Sequence, residues 1–246
     1  MNFTFGIATS GKTPGMINKT IDSIESMMKD DYEILIIGGS SDSINRNFTR
    51  VIEFEEGSSD FMISKKKNII TEKSKFNNIV YLHDYIEFSK EWYKNFLEFG
   101  NDFDVCVTPI INTDGTRYRD WCLWKDDADK FVSPNNYLIP YEMIHLSGMM
   151  YISGAYWVAK KKFMETHKLN ENLKWGQGED VEWSLRARDF TDFKINIKSP
   201  VKLMKYKERI FKETTDEENL VLGKMISYKN EQSYKNLVKN HLSKWI

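Results

Sequence analysis

Residues 3–42 read FTFGIATSGKTPGMINKTIDSIESMMKDDYEILIIGGSSD, and the order of patterns inside them decides the fold. The run Phe3–Ala8 is apolar-rich and ends at Thr9-Ser10-Gly11, as a strand does when it enters a loop. Thr13-Pro14 then opens a helix: a hydroxyl residue can cap the first turn, and proline already holds the backbone angle that turn needs. Ile17, Ile21, Ile24 and Met28 recur at spacings of four, three and four, which is one stripe of a helix. Residues 33–37 form a second strand, too apolar to face water, and Gly38-Gly39-Ser40-Ser41-Asp42 stops it.

The alternation continues outward. Residues 51–54 are a weaker strand candidate, and 64–76 read as a helix that begins with Lys65, Lys66 and Lys67. Residues 79–82 are an apolar strand with His83-Asp84-Tyr85 at its C-terminal end. Ser89 caps a helix in which Trp92/Phe96 and Tyr93/Leu97 lie one turn apart. Residues 104–108 are a further strand. Strands alternating with helices predict an α/β fold with a parallel sheet. After Pro109 the rhythm breaks, and residues 111–149 hold aromatics, prolines and asparagines without a clean period. Residues 151–160, around Gly154, read as a strand, 161–167 as a short helix, and Gly176-Gln177-Gly178 as a hinge before a helix over 179–188. Strands at 194–197 and 201–204 follow, and the remainder to Ile246 reads as two helices.

Composition bounds the function. With 41% hydrophobic residues among 246, the chain can bury a sizeable core. Thirty-five basic residues against 36 acidic ones exclude a polycation that binds nucleic acid by charge alone. From Lys194 onward 12 Lys and Arg face 6 Asp and Glu. That surplus could touch phosphate or anionic lipid, but the interleaved acids suit a solvated helical face. No apolar run reaches the roughly 18–20 residues of a membrane helix, and the N-terminus lacks the pattern of a secretory signal. The expectation is therefore a cytoplasmic protein without stable membrane insertion. Cys106 and Cys122 suggest neither a disulfide framework nor a thiolate metal site.

Three polar clusters stand at strand ends: Thr9-Ser10-Gly11, residues 38–42 and His83-Asp84. In an open α/β sheet, ligands bind beyond those ends. Taken with the stretch SGAYWVAKKKFMETHKLNENLKWGQGEDVEWSLRARDF (153–190), they resemble GT-A-fold glycosyltransferases, family 2 in particular. The opening strand, loop and first helix, the Gly/Ser-rich turn, the Lys-Asn helix with the aspartate-bearing strand, and the G-x-G-E-D-x-E helix start occur in the family's order. The resemblance implies a GT-A (Rossmann-like, nucleotide-binding) single domain with a mixed central sheet and C-terminal helices. It would occupy residues 1–205, with a donor-binding half over 1–110 and an acceptor-binding half over 111–205, and 206–246 would be a helical appendage.

The implied reaction moves a sugar from a nucleoside diphosphate sugar to an acceptor hydroxyl, with inversion. Asp180, or else Glu179, is the general base. Both fall in the first turn of a helix, where the dipole favours their ionised form. Thr9, Ser10, Gly38, Gly39, Lys67, Asn68, His83 and Asp84 are the candidate donor-binding residues. Gly154, Trp157 and Trp175 are the candidates on the acceptor side. A divalent cation, Mn2+ or Mg2+, is the implied cofactor, with Asp84 and His83 as its candidate ligands, since hard cations prefer carboxylate oxygen. Two departures stand out. Tyr85 occupies the position of the family's principal metal-binding aspartate, and Gly38-Gly39 replaces an acidic pair at the base and ribose. The acceptor is expected to be a saccharide of a surface glycan, with a hydroxylated nucleobase or a protein as alternatives; nucleic acid enters only as acceptor. The competing readings are a nucleotidyltransferase, for which ATSGKTPG (8–15) lacks a dense basic Gly-rich signature, and a degenerate GT-A domain that binds glycans or partners.

Overall fold

A computed structural model describes residues 1–29, 31–39, 44, 46–55, 61–123, 136–142, 150–173, 176–208 and 211–213. A seven-stranded mixed sheet forms its centre, and the first four strands of that sheet are parallel neighbours. Strand β1 (Phe3–Ala8) lies between β2 (Tyr32–Ile37) and β4 (Asn78–His83), and β3 (Thr49–Ile52) extends the edge beyond β2. Strand β11 (Tyr156–Lys160) runs antiparallel to β4 on one side and to β6 (Val105–Val107) on the other, and β12 (Lys194–Ile195) closes the far edge. Of the smaller sheets, one joins β5 (Ile86–Phe88), β7 (Ile110–Ile111) and β13 (Val201–Leu203). The other joins β8 (Trp121–Leu123), β9 (Asn136–Leu138), β10 (Met150–Ile152) and β14 (Phe211–Glu213).

Both faces of the central sheet are covered, so its strands are apolar throughout. Helices α1 (Pro14–Met27) and α3 (Trp92–Phe99) set Ile17, Ile21, Ile24, Trp92 and Phe96 against Phe3, Phe5, Ile34 and Ile36. Helices α2 (Ile63–Lys73), α4 (Lys161–Thr166) and α5 (Glu179–Ala187) cover the other face, where Ile70, Met164 and Trp183 meet Leu35, Ile37 and Tyr81. Alternate residues of β2 thus feed the two cores, as the period of a strand requires.

The sequence reading of 151–160 as one strand needs correction. The chain forms β10 and β11, which belong to different sheets, and Ser153–Ala155 lies between them. The break has a cause: the Gly154 N–H donates to Asp180 and its carbonyl accepts from Lys67, so neither enters a ladder. Where two C-terminal helices are predicted, Phe211–Glu213 is a strand parallel to β9; residues 214–246 lie outside the described residues. Cys106 and Cys122 are both buried and free. Among the described residues no helix is long and apolar enough to cross a membrane.

Candidate active site

The carboxyl ends of β1, β2 and β4 meet where β1 is flanked on both sides by parallel strands, the position at which open α/β sheets bind ligands. Thr9 follows β1 and donates its hydroxyl to Asp84 Oδ2 at 2.6 Å. Thr13 sits at the cap position of α1, but its hydroxyl reaches the same Asp84 oxygen at 2.9 Å instead of capping the helix. Asp84 therefore ties the loop after β1 to the end of β4. The loop after β2 packs backbone to backbone on the loop after β1. A Cβ on Gly38, whose φ is 105°, would stand 2.1 Å from the Thr9 carbonyl oxygen. That contact is a physical reason for glycine where the family resemblance leads one to expect an acid. Ser10 is exposed at the rim, and Ser40, Ser41 and Asp42 lie outside the described residues.

Two lysines of α2 point inward. A run of three lysines suggests a solvated helix start, yet Lys66 and Lys67 are fully buried, while Lys65 is exposed. The Lys66 ammonium donates to the Thr9 carbonyl at 2.5 Å and lies 4.4 Å from the Phe61 ring centre. That of Lys67 donates to the Gly154 carbonyl at 2.7 Å and rests 4.3 Å over Trp157. Burial pulls the Lys67 pKa down to about 8, against the opposing pull of Glu179 and Asp180. Asn68, predicted to face the nucleotide with Lys67, instead bonds Leu169 through both its N–H and its carbonyl and reaches Glu171 at 2.9 Å.

Gly154 is the hub of the second half of the site. Its N–H donates to Asp180 Oδ2 at 2.7 Å, and a Cβ there would lie 3.2 Å from both Asp180 and Glu179. Asp180 Oδ2 also accepts from Arg119 at 3.2 Å, and Oδ1 accepts from the Val181 N–H at 3.0 Å. Both its oxygens are thus engaged. Burial works against the Arg119 charge, but Asp180 together with Tyr151, Tyr118 and Cys122 holds the guanidinium pKa above its ordinary value. Glu179 differs: its carboxylate accepts from its own backbone N–H, and burial followed by the charge of Asp180 raises its pKa. Glu179 and Asp180 are 6% and 4% exposed, so two adjacent carboxylates of equal burial have unlike partners.

At the end of β4, His83 Nδ1 lies 2.6 Å from the Tyr85 hydroxyl, and Lys207 Nζ donates to that hydroxyl at 2.5 Å. An ammonium only donates, so the phenol proton is free to go to Nδ1. With the phenol donating to Nδ1, the neutral imidazole carries its own proton on Nε2, a buried atom with no partner among the described residues. Burial, then Lys67, Lys207, Arg119 and Lys205, holds the His83 pKa well below its ordinary value. Asn112 clamps the Lys207 backbone from both sides, donating to its carbonyl at 2.6 Å and accepting from its N–H at 3.0 Å.

A divalent cation does not suit this donor set. Asp84 Oδ2 already holds two hydroxyl protons, the His83 ring is turned through Nδ1 to the Tyr85 hydroxyl, and Tyr85, in place of an acidic ligand, meets an ammonium. Among the described residues no cluster of three His, Cys, Asp or Glu could hold a metal.

Thr9, Ser10, Gly38, Gly39, Lys67, His83, Asp84, Gly154, Glu179 and Asp180 lie at or beside the carboxyl ends of β1, β2 and β4, linked by the contacts above. Asn68 turns away from them. Trp157 is buried beneath Lys67, stacked on Tyr81 and Trp183 at 4.9 and 5.6 Å, so it offers no face to a sugar. Trp175 lies outside the described residues. Arg119, Lys207 and Thr13 escaped the sequence reading. Arg119 falls in the stretch without a period, and Lys207 in the basic segment that resembled a solvated face. Only the cap signal marked Thr13.

Solved structures share this arrangement of strands. Residues 1–349 of S. aureus TarS superpose with a TM-score of 0.55 at 14% identity, covering 97% of this chain and 69% of that one. The GalNAc-T7 structure with UDP, GalNAc and Mn2+ gives a TM-score of 0.59 at 14% identity, covering 96% of this chain and 49% of that one. The chain has the GT-A fold. It spans about half the length of the GalNAc-T7 chain. No family model and no curated protein sequence matches. In the GT-A frame the expected mixed central sheet is present.

Proposed function

We propose that this chain transfers a sugar from a nucleoside diphosphate sugar to an acceptor hydroxyl, with inversion and with Glu179 as the general base. The donor lies along the ends of β1, β2 and β4, on the backbone floor of Gly38 and Gly39 and beside Thr9, Ser10 and Asp84. That UDP and GalNAc accompany the GalNAc-T7 structure supports a nucleotide sugar as the donor. The acceptor hydroxyl gives its proton to the Glu179 carboxylate as its oxygen bonds to the anomeric carbon. The bond from that carbon to the diphosphate oxygen breaks, and the electron pair leaves with the diphosphate.

The observation that carries the assignment is the contrast between the two carboxylates. Asp180 is held by Arg119, Gly154 and Val181, so protonating it would disrupt three contacts. Glu179 has no such set, and its raised pKa makes it the better proton acceptor near neutral pH. Asp180 then fixes Gly154 and the start of α5, exchanging the roles the family resemblance implies. The acceptor we propose is a saccharide of a surface glycan.

The test is a panel of nucleotide sugars covering uridine, guanosine, cytidine, adenosine and thymidine diphosphate donors, read by release of the nucleoside diphosphate. At least one donor should be turned over, slowly with water alone and faster with oligosaccharide acceptors. Binding of a donor without any release over the panel of acceptors would favour a GT-A domain that has lost catalysis.

A further inference from the structure

Four cationic side chains, Lys67, Lys207, Arg119 and Lys205, act on His83 at the end of β4, where the fold leads one to expect a metal ion. Lys67 is buried, Lys207 is partly buried and Lys205 is exposed. Arg119 keeps 26% of its side chain exposed although it pairs with Asp180. The Lys205 and Lys207 ammonium groups lie 4.6 and 4.0 Å from the centre of the Tyr85 ring, so the aromatic residue at the expected aspartate position gathers cations instead of binding one metal. The His83 Nε2–H beside them is a buried donor with no acceptor among the described residues. Burial, then Lys205 and Arg119, pulls the Lys207 pKa down to about 8, the mark of like charges that repel one another unless an anion lies between them. A donor left unpaired in a buried place is likewise costly unless a ligand oxygen meets it.

We infer that Lys207, with Lys205, Arg119 and the His83 Nε2–H, holds the diphosphate of the donor in place of a divalent cation, so that nucleotide binding here is independent of metal. The inference rests on the donor-site reading above. The clamp meets the charge that develops on the diphosphate as the glycosidic bond breaks, which is the task of a metal in other phosphate sites. The amide of Asn112 fixes the Lys207 backbone, so the ammonium is positioned before the ligand arrives. Tyr85 is the positioning residue: its hydroxyl accepts from Lys207 and orients the imidazole of His83.

The experiment is calorimetric titration of the five nucleoside diphosphates into the protein, once in excess EDTA and once in MnCl2, together with titration of Mn2+ alone followed by its paramagnetic resonance signal. We expect one or more nucleotides to bind with the same affinity in both media, and Mn2+ alone to remain free. In Lys207→Met the affinity should fall by about 10- to 100-fold, the value of a charge-assisted hydrogen bond, and Lys207→Arg should recover part of it. Binding seen only with Mn2+ would overturn the clamp and leave the donor site standing. Unchanged affinity in a folded Lys207→Met protein would overturn the part given to Lys207. If no nucleotide binds in either medium, the donor-site reading itself fails, and the clamp with it.

Discussion

Glu179→Gln and Asp180→Asn are chemically the same change at neighbouring positions, and the structure requires opposite effects on stability. Asp180 is 4% exposed and meets Arg119 at 3.2 Å, so replacing it with a neutral amide leaves a partly buried guanidinium without its counter-charge. Removing one partner of a buried pair costs about 3–5 kcal/mol. Arg119 is a quarter exposed, which points to the lower end, about 3 kcal/mol. For a chain of this size that lowers the melting temperature by about 6–12 °C. Glu179 behaves in reverse. Its folded pKa is raised above the ordinary value of 4.5, so between those two values the folded state binds more protons than the unfolded state. Its contribution to stability is full below pH 4.5 and declines as the pH climbs through that window. Glutamine cannot ionise, so Glu179→Gln escapes the decline. Melting curves by circular dichroism at pH 4 and pH 7 would show it: Glu179→Gln should match the parent at pH 4 and equal or exceed it at pH 7. A Glu179→Gln protein that melts as early as Asp180→Asn, or a difference from the parent that ignores pH, would refute the separation of the two carboxylates.

Further outcomes follow from the same geometry. Gly154→Ala places a methyl 3.2 Å from both carboxylates and should cost about 1–3 kcal/mol of stability, as overpacking does, while turnover falls further because Glu179 is displaced; thermal melts and rate assays on one sample compare the two. Lys67→Met removes the cation that lowers the Glu179 pKa, so the acid limb of the pH–rate profile should move to higher pH; a limb that stays in place would separate Lys67 from the base. Asn68→Ala removes three hydrogen bonds to residues 169 and 171 and should lower the melting temperature with nucleotide affinity unchanged, which calorimetry can check.

The fold was largely legible in the sequence because its central strands are buried on both faces. β1, β2 and β4 are short continuous apolar runs, and each ends in a polar turn, so their boundaries fall within a residue or two of the expectation. The split at Gly154 was not legible. Residues 150–160 are apolar enough for one strand, and the break is imposed by Lys67 and Asp180, which lie far away along the chain. The site was legible where it hangs on strand ends and on the start of α5. It was illegible where long side chains reach it from segments without periodicity. Arg119 follows a two-residue strand and an isolated bridge, and Lys207 lies past β13 in a stretch whose alternating charges resemble a solvated surface. Buried lysines are also invisible to a rule that places lysine outside. Lys66 and Lys67 are accommodated because a backbone carbonyl and an aromatic face meet each ammonium.

The most direct test of sugar transfer at these strand ends is donor affinity and turnover measured side by side in the parent protein and in Glu179→Gln, with whichever nucleotide sugar the panel identifies. A general base contributes about 10²–10⁴-fold to the rate. The predicted result is a dissociation constant that is unchanged and a release of nucleoside diphosphate slowed by about that factor, because the donor is held at the strand ends and not by Glu179. Release at the parent's rate from a folded Glu179→Gln protein that binds the donor equally well would contradict it.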